Sequence, residues 1–251
     1  MSPPLSWSYV QARLQARHGE RLDEGEWRAL EAARSLDNFI DRSRATALGR
    51  FSERLSNGTS SHAIEGALRN GWRDYVAEVA SWCAPEWRPA ILWCTTLPDL
   101  PAFAALLRGE APRWVQQDAV LAAYFELAQG AVIKSPLDAL LPGAKREATI
   151  TARWFVHWRS LWPQGARERR ALTALADAVR ANVARLDFAA PQDTSAGYRR
   201  ALAQSVTRMF RRHGASPVAV FCHLTLVALD LERLRGGLAR RALFAPGKEA
   251  A

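Results

Sequence analysis

Apolar residues recur every three or four positions along most of this chain, and that rhythm sets the first expectation. The clearest case is the stripe Ile64, Leu68, Trp72, Tyr75, Val79 and Trp82, with Arg69, Arg73, Asp74 and Glu78 between its members. Residues at this spacing share one face of a helix and leave their neighbours to water. Asp23-Glu24-Gly25-Glu26 precedes Trp27 with the spacing of a capping box, an acidic cap followed three residues later by a glutamate. Pro85 and Pro89 suit the entry of a helix through Ile91 to Thr95, and Leu97-Pro98-Asp99-Leu100-Pro101 reads as a turn that starts Ala102 to Arg108. Further helices are predicted over Val120 to Ala128, Glu147 to Leu161, Ala166 to Leu186, Ala196 to Arg212 and Val218 to Leu243. No run of β-branched residues with period two competes with them, so the predicted class is all-α.

Breaks are predicted at Gly109 to Pro112, Gly130 to Pro142, Pro163 to Gly165, Phe188 to Ser195 and His213 to Pro217. Links this short favour antiparallel neighbours in a multi-helix bundle. Lys134 to Arg146, with Pro136, Pro142 and Gly143, is the candidate hinge between one or more helical lobes in residues 1–133 and a C-terminal lobe in 147–251. The whole would form two or three similar lobes.

Composition narrows the class further. The 251 residues are 49% hydrophobic and 24% charged, as in ordinary globular proteins. The uncharged apolar run Pro217 to Leu229 falls short of the ~20 residues that cross a bilayer. The opening Met-Ser-Pro-Pro-Leu-Ser-Trp lacks the regions of a signal peptide, so a cytoplasmic location is expected. Cys83, Cys94 and Cys222 are odd in number, have no Cys-x-x-Cys spacing and read as buried free thiols. The formal charge is +9, and only Lys134, Lys145 and Lys248 of the basic residues are lysines. Guanidinium groups suit carboxylate or phosphate recognition, but the charge is spread along the chain, which makes nucleic acid an unlikely partner.

Tests for chemistry return little. Cys222 and His223 are adjacent and point about 100° apart on a helix, which argues against a shared metal. No Gly-x-Ser-x-Gly elbow or nucleotide-cradling glycine loop is present. The carboxylates Asp230 and Glu232 are expected to pair with Arg233 and Arg235 on their own helix. Trp154, Trp158 and Trp162 advance by four beside Arg153 and Arg159, a spacing that fits either a stacking platform for bases or helix-filling core; the core reading is preferred. No catalytic residue, cofactor or metal is expected.

A set of short motifs does occur in a telling order. Tyr9-x-x-Ala12-Arg13-x-x-Ala16-Arg17 leads to Leu22-Asp-Glu-x-x-Trp27-x-x-Leu30-Glu31 and Ser35-Leu36. Ile64-Glu65-x-Ala67-Leu68-Arg69 follows, with Tyr75, then Asp99-Leu100, Leu106-Leu107-Arg108-Gly109 and Asp230-x-Glu232-Arg233-Leu234-Arg235. In this order the chain resembles the V0D/AC39 family, the C subunit of V/A-type rotary ATPases and the d subunit of eukaryotic V-ATPases. The resemblance implies a funnel of three helical lobes, here shortened, without an active site. It further implies a linker in hydrogen-ion transport that joins a membrane rotor ring of proteolipids to the central-stalk subunits, peripheral to the membrane. Arg13, Arg17, Arg233 and Arg235 would then contact the partner. The alternative reading is a stand-alone, arginine-rich helical adaptor that binds an acidic protein or RNA.

Overall fold

A computed structural model describes residues 6–56, 59–110, 115, 118–129, 136–141, 149–188 and 194–243. Among them every regular element is helical. The N-terminal part comprises α1 (Trp7–Gly19), α2 (Glu24–Glu31), α3 (Leu36–Arg44), the single turn α4 (Gly49–Ser52) and the long α5 (Ser61–Trp82). Short helices α6 (Arg88–Leu92), α7 (Leu100–Leu107) and α8 (Ala119–Ala128) follow, then α9 (Ile150–Ser160) and the long α10 (Arg169–Phe188), α11 (Thr194–Arg212) and α12 (Pro217–Leu243).

Local chemistry sets the boundaries. Ser6, Ser35, Ser60 and Thr149 each accept a hydrogen bond from the third residue beyond them, satisfying an amide that the first helical turn leaves open. Asp23 and Glu26 form the predicted capping box with both of its bonds. The predicted turn at residues 97–101 is instead helical. Trp93–Asp99 is a tighter 3-10 segment, and Leu100 continues from it into α7. Thr95 and Thr96 donate their hydroxyls to the carbonyls of Leu92 and Trp93, and the Cys94 carbonyl, four residues before the amide-less Pro98, accepts the Trp72 indole N–H at 2.8 Å. Pro85–Leu107 is thereby one helical run of 23 residues, long and apolar enough by length and composition to cross a bilayer; 44% of its most apolar window is buried inside the protein.

All six members of the 64–82 stripe are buried, as the period required. The buried side chains form one cluster that runs from Val10 and Leu14 of α1 to Leu234 and Leu238 of α12. α12 is its spine: it packs against α11, α5, α1, α3 and α10. The proposed hinge at 134–146 falls largely outside the described residues, which give only a short helical turn, Pro136–Leu140, within it. Trp154, Trp158 and Trp162 are each at most 4% exposed, so the tryptophan stripe is core. The indole N–H of Trp93 donates to the carbonyl of Trp154, and that of Trp154 to Thr96 Oγ1, tying α9 to the 93–99 segment.

Candidate functional site: an arginine-lined groove

α11 has two faces. Leu202, Val206 and Phe210, four residues apart, are buried. On the opposite side Arg200, Gln204, Thr207, Arg208 and Arg211 share one face and, with Arg199 near the start of the helix, line one wall of a groove of about 850 Å³. Glu24, Trp27 and Glu31 of α2 form the facing wall, and Leu229, Asp230 and Arg233 of α12 lie between them. Arg21 and Leu22, in the link between α1 and α2, complete one end. The groove is therefore assembled because α12 spaces α11 from α2, and because each helix turns its polar stripe into the same gap.

Its charges are arranged unequally. Arg233 grips Glu31 at 2.7 Å and Glu24 at 2.6 Å, and its guanidinium lies 4.6 Å over the Trp27 ring. That hydrogen bond from Arg233 holds the Glu31 carboxyl below its ordinary range. Arg21 makes a two-pronged contact with Asp230, at 2.6 and 2.9 Å; burial nonetheless lifts the Asp230 carboxyl above its usual value. Arg200 reaches Glu24 only at 4.0 Å. Arg208 and Arg211 are exposed and form no ion pair or hydrogen bond with any described residue. Among the described lining residues six arginines face three carboxylates, and four of those arginines sit on α11.

The four predicted contact residues are not brought together. Arg13 bonds the Tyr9 hydroxyl at 2.7 Å and lies 4.5 Å over Trp82. Arg17 pairs with Glu20 and Glu78 at 3.3 and 3.1 Å. Arg235 pairs across to Glu65 of α5 at 2.6 Å, with Glu232 of its own helix at 3.7 Å. Arg233 alone lines the groove. The expected same-helix pairing of Asp230 and Arg233 is corrected: Asp230 goes to Arg21, and Arg233 to α2. The long reach across the chain wins because both partners are then half-shielded from water, where a charge pair is stronger. The α11 face escaped the sequence reading although its spacing was visible there.

Two other polar clusters are buried. Arg69 and Arg73 of α5 meet Asp99 and Asp118, with Arg73 to Asp99 at 2.8 Å and Arg69 to Asp118 at 3.2 Å. They clamp α5 to the starts of α7 and α8. Burial raises the Asp99 carboxyl to about 6 against the pull of Arg73, and Asp99 Oδ2 and the Tyr124 hydroxyl have no hydrogen-bond partner among the described residues. The second is Tyr75 Oη, 2.6 Å from His223 Nε2. Burial lowers His223 to about 3, so the imidazole is neutral and takes no part in acid chemistry at neutral pH. Burial also pushes the Cys83 and Cys222 thiols up to about 12, which removes them as nucleophiles. Among the described residues no group of three His, Cys, Asp or Glu side chains is placed to hold a metal.

No family model, curated protein or solved structure matches the chain, so the V0D/AC39 resemblance rests on its quoted motifs alone and the groove on its own geometry.

Proposed function

We propose that the protein is a non-catalytic helical adaptor and that the groove between α2, α11 and α12 receives an acidic partner. The observation that carries this reading is the stretch of the α11 wall at Arg208 and Arg211, which face a preformed concave surface and pair with no carboxylate among the described residues. A cleft lined by one sign of charge concentrates its field and draws in ligands of the opposite sign. The opposite wall disfavours a continuous nucleic-acid backbone, because Glu24, Glu31 and Asp230 would lie along the phosphate track.

The test is binding of a fluorescent peptide of alternating glutamate and alanine blocks, followed by anisotropy at low and physiological salt. Arg200→Glu, Arg208→Glu and Arg211→Glu combined should weaken it by at least about tenfold, whereas Arg13→Glu should leave it unchanged. Because the three positions are exposed, circular dichroism should show the same helix content. Equal affinity of the triple variant and the parent would end this reading.

The motif order that resembles V0D/AC39 supports a second reading, a linker between a membrane rotor ring and a central stalk. It predicts that the tagged protein from gently solubilised native membranes carries proteolipid and stalk subunits with it, in amounts that the α11 reversals do not change.

A further inference from the structure

The groove's charge is not only excess but locally doubled. Arg208 and Arg211 stand three residues apart on α11, so their guanidinium groups rise from adjacent turns of the same face. Arg21 lines the same cavity, its fork committed to Asp230. Thr207 adds a hydroxyl to the same wall. Behind this group lies His18, whose ring sits against that of Phe210 with centroids 4.7 Å apart. His18 Nδ1 is buried and has no hydrogen-bond partner among the described residues.

A single carboxylate brings one negative charge and two oxygens to such a place. A phosphate monoester brings close to two charges at neutral pH and three acceptor oxygens, and arginine forks match it two bonds at a time. Two guanidiniums side by side, with no ion pair to any described residue, are the arrangement that a dianion neutralises and a carboxylate leaves half-charged. A phosphodiester, with one charge per unit, falls short in the same way as a carboxylate.

We infer that the Arg208–Arg211 end of the groove is a subsite for a dianionic terminal phosphate, carried either as a monoester on a partner side chain or at the end of a free polyphosphate. The inference rests on the groove being the docking site proposed above, and adds the chemical group that it reads. The surrounding charges supply a reporter. Burial first, then Arg21 and Arg211, hold the His18 imidazole below its ordinary pKa. A dianion bound at Arg211 opposes that arginine's contribution and moves His18 up.

The experiment compares two peptides of one acidic sequence that differ only in phosphoserine or glutamate at the central position. Affinities come from anisotropy and the His18 titration from NMR of the full chain labelled at histidine Cε1. The phosphopeptide should bind about tenfold tighter, a gain of the size expected when charge-assisted bonds replace a poorer match, and should raise the His18 pKa. Arg208→Gln with Arg211→Gln should weaken both peptides, bring them to equal affinity and erase the His18 shift. Inorganic tripolyphosphate, run alongside, separates the sources: a matching His18 shift points to a free polyphosphate, and a shift with the phosphopeptide alone to a phosphorylated partner. If the two peptides bind equally with His18 unmoved, the phosphate subsite is wrong and the acidic-partner groove stands. Tighter binding of oligouridylate than of the phosphopeptide overturns the subsite in favour of a nucleic-acid backbone. Failure of every probe to bind removes the groove and the subsite together.

Discussion

His223 and Asp99 are buried titratable groups whose folded-state pKa values move in opposite directions, and their effects on stability oppose each other in acid. His223 is lowered from 6.5 to about 3, so its neutral form stabilises the fold above the unfolded value. As pH drops below 6.5 the unfolded chain takes up this proton and the folded chain does not, which costs about 1.4 kcal/mol per pH unit. Asp99 is raised from 3.8 to about 6, so the folded chain takes up its proton first and gains stability over that interval as pH falls. Between about pH 6 and 4 the two slopes cancel to first order. His223→Gln, which can still accept the Tyr75 hydroxyl, removes only the first. Relative to the parent, it should gain about 2 kcal/mol on going from pH 7 to pH 5, measured as the shift in urea midpoint at unchanged slope. An identical pH response in parent and variant would refute the assignment.

At the scale of helices, α12 carries two adjacent glycines with opposite environments. A Cβ on Gly237 would stand 2.4 Å from Phe39 Cζ, and Phe39 is fully buried with Arg241 4.1 Å from its ring centre, so it has little room to yield. A Cβ on Gly236 meets nothing within 4 Å. Gly236→Ala should therefore raise stability by up to about 1 kcal/mol through helix propensity. Gly237→Ala should lower it by about 1–3 kcal/mol as α3 is pushed from α12. Thermal melts of the two variants should move apart in opposite directions; movement in the same direction would mean that the α3–α12 contact is not tight. The sequence made the helices themselves legible, because period and caps are local: the 64–82 stripe and the Asp23 box fold as read. What it hid was which element each polar face meets. Arg233 finds Glu31 some two hundred positions away, and Arg241 satisfies the carbonyls of Glu31 and Ala33 beyond α2, pairings that no spacing along α12 announces. The groove stands between these cases. Arginines at 200, 208 and 211 share a face by simple helical arithmetic, whereas Arg199 lies half a turn round from Arg208, and the facing wall comes from α2 and could only be found in three dimensions.

For the whole molecule the question is whether the halves on either side of residues 134–146 fold as one. α12 belongs to the C-terminal half by sequence, but it lies against α1, α3 and α5 as well as α10 and α11. Detaching it would strip the cover from Leu231, Leu234 and Leu238, all buried, and break the Arg21–Asp230 and Arg233–Glu31 pairs together. The same holds at the other end of the seam, where Trp93 and Trp154 are joined by a 3.2 Å hydrogen bond. Neither half can then lose its packing without exposing the other's apolar surface, the condition for all-or-none unfolding. Calorimetry should accordingly give a single transition whose van't Hoff and calorimetric enthalpies agree, coincident with the near-ultraviolet signal of the tryptophans and the far-ultraviolet signal of the helices. Gly237→Ala, which touches only α3 and α12, should displace that transition as a unit. Two resolved transitions, or a variant that shifts one signal and spares the other, would show that the chain divides near its middle and that α12 is docked onto the first half without being part of its core.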